Sequence, residues 1–202
     1  MTLRKPATTN EPVHELIAER WSPRSFLDTP IDDSLLISLF EAARWAPSCN
    51  NTQPWRFIVA TKSNSDDYER AFSCLNERNQ GWAGSGYVLG FVCAHNAMMP
   101  NGNSSPTLQY DTGMAMGQLL LQATAHGLHV HQMAGILFDK VKEIYGVPED
   151  TKILCGFVIG YQGEPGALPE VLAEREIGER VREDLANLVF GRKYGETLSI
   201  VS

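Results

Sequence analysis

The stretch "TLQYDTGMAMGQLLLQATAHGL", residues 107–128, constrains the fold of this chain more than any other. Fourteen consecutive residues, Thr112 to Ala125, carry no charge, and the run is long enough for about four turns of helix. A surface helix keeps one polar face, so a helix without charge is expected to be buried all round. The run is too short and too rich in glutamine for a membrane span of roughly 20 apolar residues. Gly113, Ala115 and Gly117 would let another backbone come close. In a chain of 202 residues, complete burial of such a helix points to a second subunit.

Two continuous apolar runs flank it, "YVLGFVCA" (87–94) and "KILCGFVIGY" (152–161). Unbroken apolar runs suit central strands covered on both faces. "WRFIVAT" (55–61) reads as a further strand. A helix is expected over 33–46, where Leu35, Leu36, Leu39, Phe40 and Ala43 share a face, Asp32 or Asp33 can cap the start and Pro47 stops the end. Shorter helices are expected over 11–20, 66–79 (a surface helix) and 139–147. After Tyr161 the texture changes. "QGEPGALPE" is a loop, and the charged tail behind it is too polar for core, so it is expected to wrap around the body or a partner. Few strands and many helices give an α+β class in one domain, 1–202.

Composition removes several functions. A net charge of −7 without a block of Lys and Arg argues against a nucleic-acid footprint. The N-terminus "MTLRKPATTNEPVHE" lacks the apolar core of a signal peptide, and no run reaches membrane length. The four cysteines, Cys49, Cys74, Cys93 and Cys155, form no C-x-x-C, which fits a reduced, cytoplasmic protein.

Four local patterns bear on chemistry. "PSCNNTQPWRF" (47–57) places six uncharged polar residues between a helix and a strand, more than a turn needs. In "RWSPRSF" (20–26), Arg20, Ser22 and Arg24 are two apart, so in extended chain two guanidiniums and a hydroxyl converge on one anion. "ERVRED" (179–184) repeats the device with Arg180 and Arg182, and "GRK" (191–193) is a competing basic spot that spacing does not exclude. "HVHQMAG" (129–135) holds His129 and His131 with no carboxylate or cysteine at ligand spacing, so no metal is read there. Gln132, Met133, Ala134 and Gly135 behind them form a small turn whose backbone could lie against a planar ligand. "GSGYVLG" (84–90) precedes a strand, where a dinucleotide fingerprint must follow one. No nucleophile elbow, P-loop or H-E-x-x-H occurs.

In content and order, "RWSPRSF", "LFEAARWAPSCNNTQPWRF", "NQGWA", "YDTGMAMGQLLLQATAHGLHVHQMAGI" and "IGY" resemble the FMN-dependent nitroreductase family over roughly residues 11–190. The resemblance implies an α+β fold with a small mixed central sheet flanked by helices. It also implies an intertwined homodimer with FMN at the subunit interface and a C-terminal arm, about 162–202, reaching the partner. Arg20 and Ser22 match positions at the FMN phosphate and ribityl end, and Arg24 matches the cation beside the flavin N1–C2 edge. Pro47, Ser48, Cys49, Asn51 and Gln53 match a loop that contacts FMN largely from the other subunit. Asn79, with Asn76 as a rival, matches an amide at the pyrimidine end. Gln132, Met133, Ala134 and Gly135 match the turn near N5, and Arg180 and Arg182 match the basic pair on the phosphate.

The implied activity is two-electron, ping-pong transfer from NADH or NADPH through flavin N5 to a nitroaromatic, quinone-like or related small aromatic acceptor. No catalytic side chain and no metal are implied, because the flavin carries the chemistry. Relatives that use FMN for dehalogenation, azoline oxidation or flavin fragmentation share the clamp. A non-enzymatic FMN-binding redox sensor acting through Cys49 is a further alternative.

Overall fold

A computed structural model describes residues 3–201. Four strands, β1 (Trp55–Thr61), β2 (Val88–His95), β3 (His129–Met133) and β4 (Thr151–Gly160), form one sheet in the order β1-β2-β4-β3. All three pairings are antiparallel. A mixed sheet needs a parallel neighbour as well, and the described residues of this chain do not supply one.

The helices are α1 (Glu15–Glu19), α2 (Asp33–Arg44), α3 (Ser65–Phe72), α4 (Glu77–Ala83), α5 (Leu108–Ala125), α6 (Phe138–Tyr145) and α7 (Glu170–Ile177). They divide between the sheet's two faces. On one face α2 and α5 bury Leu39, Ala43, Ala115, Met116, Leu119 and Ala123 against Val88, Val92, Phe157 and Ile159. On the other, α3, α4 and α6 bury Tyr68, Ala71, Trp82 and Val141 against Leu89, Phe91, Cys93 and Val158. Alternate residues of β2 and β4 thus enter opposite cores, which is why both strands read as unbroken apolar runs. Gly90 lets the layers close, since a Cβ there would stand 2.4 Å from the Phe157 ring and 2.5 Å from the Ile58 carbonyl oxygen.

Within one chain α5 is not buried all round, as its lack of charge implied. Asp111, Thr112, Ala115, Met116, Leu119 and Ala123 face the core. Gly113 is exposed, Met114, Gly117, Leu120 and Leu121 are half-buried, and Tyr110 is 70% exposed. An uncharged helical face is therefore left without a covering layer.

The stretch 66–79 is not one surface helix. Leu75 leaves the helical path to bridge Ile136 and enter the core, and Asn76 restarts a helix by accepting from the Asn79 N–H at 3.0 Å. This long-range pairing outweighs local propensity and splits the stretch into α3 and α4. The helix expected over 11–20 shrinks to α1, five residues behind a His14 cap. Beyond α7 the tail is mostly irregular and exposes Val181, Leu188, Tyr194 and Ile200, with Tyr194 at 96%.

Candidate functional site

The segment after α1 runs extended, and its burial alternates. Trp21 and Pro23 are buried, while Arg20, Ser22 and Arg24 are partly open on the other side. Strand β3 enforces that orientation. His131 Nδ1 lies 2.8 Å from the Pro23 carbonyl oxygen, and the His129 ring meets the Trp21 ring edge-on at 6.0 Å between centroids. Two histidines two residues apart grip two residues two apart, so the three polar side chains turn the opposite way. Burial holds the His131 pKa down at about 4 despite its backbone partner, and the nearby Arg24 adds to that effect. The ring is therefore neutral at pH 7, and its Nδ1–H donates to Pro23. Burial lowers His129 as well.

The cations converge on a cavity of about 210 Å³ lined by Lys5, Arg20, Ser22, Arg24, Arg175, Arg180 and Arg182, with Glu176 as its only acid. Glu176 is 1% exposed. Its Oε1 accepts from the backbone N–H of Arg24 at 2.8 Å and of Ser25 at 3.1 Å, and its Oε2 lies 4.0 Å from Arg24 Nη1. Lys5 Nζ donates to the Glu176 carbonyl at 2.7 Å.

Arg180 is largely committed to the fold. It donates to the carbonyls of Lys5 (2.6 Å), Ala18 (2.8 Å) and Arg20 (2.9 Å), tying the tail to the N-terminal segment. Arg182 donates only to its neighbour Val181, so it keeps most of its fork free. The Arg20 guanidinium lies below its ordinary pKa range, first through burial and then through repulsion from Arg180 and Arg182. Arg20, Arg180 and Arg182 thus repel one another at close quarters, and an anion placed among them would relieve that repulsion. The competing basic spot stays apart: neither Arg192 nor Lys193 lines this cavity, and Lys193 pairs with Glu196 at 3.8 Å.

A second cavity of about 260 Å³ adjoins the first, sharing Arg24 and Arg175. Asn76, Arg78, Asn79, Trp82, His131, Met133, Ala134, Gly135 and Leu172 complete its wall. Asn79 Nδ2 donates to the Gly135 carbonyl at 3.0 Å, and its Oδ1 accepts from Trp82 Nε1 at 3.2 Å. A Cβ at residue 135 would stand 2.5 Å from Asn79 Nδ2 and 2.6 Å from Asn76 Nδ2, so glycine is what allows the two amides to press on the turn. Met133 packs its side chain into the core and offers only backbone. Gln132 does not line the cavity; its amide oxygen faces the Cys155 thiol at 3.6 Å.

Pro47, Ser48, Cys49, Asn51 and Gln53 line neither cavity. Their loop is nonetheless built with care. Ser48 Oγ accepts from the Gln53 N–H at 3.0 Å, and the buried carboxylate of Asp111 accepts from the Cys49 N–H at 3.1 Å and the Thr107 hydroxyl at 3.0 Å. Asn50, Asn51 and Gln53 all have positive φ (49°, 55° and 46°). Left-handed backbone strains side-chain-bearing residues, and such strain concentrates at ligand clamps. Asp111 fastens this strained loop beside the uncovered face of α5.

Sequence reasoning missed Lys5, Arg78, Trp82, Arg175 and Glu176. Single residues such as Arg78 and Arg175 carry no spacing signal, and Glu176 and Trp82 give no sign in the sequence that they are buried beside a cavity. Lys5 reaches the site because the N-terminal segment folds back through Ala7 onto Ala18.

A two-faced α+β core thus carries a cation-lined cavity that adjoins one walled by amides, arginines and the backbone about Gly135, with a strained polar loop beside α5. Residues 17–161 match the Nitroreductase family, and the chain belongs to it. A crystal structure of an oxidoreductase containing FMN is 36% identical to the chain. It covers 98% of this chain and 100% of its own, with a TM-score of 0.88. The 4-nitrobenzoate reductase of Pseudomonas putida is 25% identical over 210 residues, 81% of this chain and 91% of that protein. Nitroreductase NfnB of Mycolicibacterium smegmatis is 26% identical over 205 residues, 79% of this chain and 87% of that protein.

Proposed function

We propose that the chain is an FMN-dependent NAD(P)H oxidoreductase acting on nitroaromatic, quinone-like or related acceptors. The observation that carries this is the pair of adjoining cavities, one lined by cations and the other by amides and a bare backbone turn, joined at Arg24. When bound, FMN supplies two-electron hydride chemistry, from a nicotinamide to an acceptor, in two half-reactions of a ping-pong cycle.

The residues divide that task. Lys5, Arg20, Ser22 and Arg182 hold the phosphate, with Arg180 fixing the arm that carries Arg182. Arg24, shared by the two cavities, would set a fixed positive charge next to a bound flavin and so favour its reduced, more negative form. Asn79 and Asn76 hydrogen-bond the ring's polar edge, and residues 132–135 offer backbone. Trp82 and the neutral His131 pack against each other, tilted by 45° at 4.4 Å between ring centroids, and form part of the wall. No side chain is required as a general acid or base.

The site is completed by a second copy of the chain. The uncharged face of α5, left open around Gly113 and Gly117, supports this. The strained 47–53 loop beside it lines neither cavity of its own chain and serves the partner's flavin. The exposed apolar residues of the tail beyond residue 180 cover the partner as an arm.

Purified protein is expected to be yellow, and anaerobic NADH or NADPH to bleach it. Colourless protein that added FMN does not restore would refute the proposal.

A further inference from the structure

The two cavities hold more positive charge than one flavin phosphate uses. Lys5, Arg20, Arg24, Arg78, Arg175, Arg180 and Arg182 line them, opposed by the single acid Glu176, in a chain whose net charge is −7. A phosphate monoester brings about two negative charges, which the Arg20, Arg182 and Lys5 group already answers. Arg78 lines only the ring-end cavity, and Arg175 lines both cavities at their junction. Arg78 is on α4 and Arg175 on α7, and both line the ring-end cavity, which no carboxylate lines. Neither guanidinium has a hydrogen bond or an ion pair among the described residues, whereas Arg180 spends three donors on carbonyls and Arg44 and Arg70 pair with neighbouring acids. Both are exposed to solvent at the cavity's edge, and two unpaired guanidiniums from α4 and α7 lining one cavity offer the planar forks that suit a carboxylate or phosphate.

We infer that Arg78 and Arg175 form a second anion subsite at the ring end of the cleft, which selects a reactant by its own negative group. This rests on the flavin reading above and adds the charge of the reactant to it. Two sources share that chemistry: a carboxylate on an aromatic acceptor, and the 2′-phosphate that distinguishes NADPH from NADH.

The test uses the FMN-loaded protein and its Arg78→Gln/Arg175→Gln double variant. The ratio of kcat/KM for 4-nitrobenzoate over nitrobenzene is measured with NADH, and the NADPH over NADH ratio is measured for anaerobic flavin reduction. In the wild type at least one ratio favours the anion, and in the double variant that ratio falls about tenfold or more, the size of a lost charge-assisted contact. A fall in the first assigns the subsite to the acceptor, and a fall in the second assigns it to the donor. Both ratios within twofold of wild type, or release of FMN by the double variant, would overturn the inference. Failure of the flavin reading itself is seen separately, as wild-type protein that holds no FMN or is not bleached by either nicotinamide.

Discussion

His131 Nδ1 donates to the carbonyl oxygen of Pro23 across 2.8 Å, and this contact decides which way the anion clamp faces. With Pro23 and Trp21 held against β3, the intervening Arg20, Ser22 and Arg24 have only the cleft side open to them. The H-V-H pattern is thus the rack on which the R-x-S-x-R segment hangs.

The rack is sensitive to acid. The His131 pKa is about 4 in the native chain against an ordinary value near 6.5. Between those values the unfolded chain takes up a proton that the native chain refuses, so stability falls as pH drops through 6.5 and stops falling near 4. This one group removes about 2 kcal/mol by pH 5, and His129 acts in the same direction. Urea midpoints of the FMN-free protein between pH 7 and 5 measure the loss. His131→Phe should have a shallower slope over that range, and an equal slope would remove His131 as the cause.

Arg20 and Arg182 should separate from Arg180 by what they damage. Arg20→Ala and Arg182→Ala are each expected to weaken FMN binding about ten- to a hundredfold, more at low salt, by removing a charge-assisted bond. Arg180→Ala strips partners from three carbonyls and is expected to lower stability by roughly 1–3 kcal/mol even without flavin. Flavin fluorescence titrations beside thermal melts of the flavin-free protein read both effects. The same profile for all three variants would mean that Arg180 is not the structural tie.

At Gly135 the expected effect is steric. Gly135→Ala places a methyl 2.5 Å from Asn79 Nδ2 and 2.6 Å from Asn76 Nδ2, so the two amides must retreat and the Asn79–Gly135 contact breaks. Weaker FMN binding and a shift in the visible flavin spectrum are expected, since the ring's polar edge loses its partners. A variant with wild-type affinity and spectrum would show that these amides do not touch the flavin.

Much of this was legible in the sequence, and the misses have a common physics. β1, β2 and β4 follow from their apolar runs, α2 from its periodicity and α5 from its uncharged run, and the alternation of Arg20, Ser22 and Arg24 follows from the two-residue period of extended chain. β3 was not read, because the polar His129, His131 and Gln132 hide a strand, so Gln132 and Met133 belong to it and not to a turn. The break between α3 and α4 was not readable, because Leu75 pairs with Ile136 some sixty positions later in the chain. Arg78 and Arg175 drew no notice in the sequence, since an arginine's lack of a partner exists only in three dimensions. The positive φ at Asn50 and Asn51 suits asparagine, but nothing at Gln53 announces it. For α5 the missing charge pointed to burial with the help of a second subunit, and within one chain the face around Gly113 and Gly117 is indeed open.

That last point gives the sharpest test of the assembly. A Cβ at Gly117 would have nothing within 4 Å in its own chain, and the same holds at Gly113. Gly117→Tyr therefore strains nothing inside the subunit and even raises local helix propensity by a few tenths of a kcal/mol. If the α5 face packs against a second copy, the tyrosine stands where the partner's backbone must come close. The variant is expected to sediment as a monomer with native circular dichroism and to lose FMN along with the dimer, because the partner's 47–53 loop leaves with it. Dissociation without loss of FMN would mean that the flavin is held by one chain alone. A Gly117→Tyr protein that remains dimeric and yellow would move the interface away from α5 altogether.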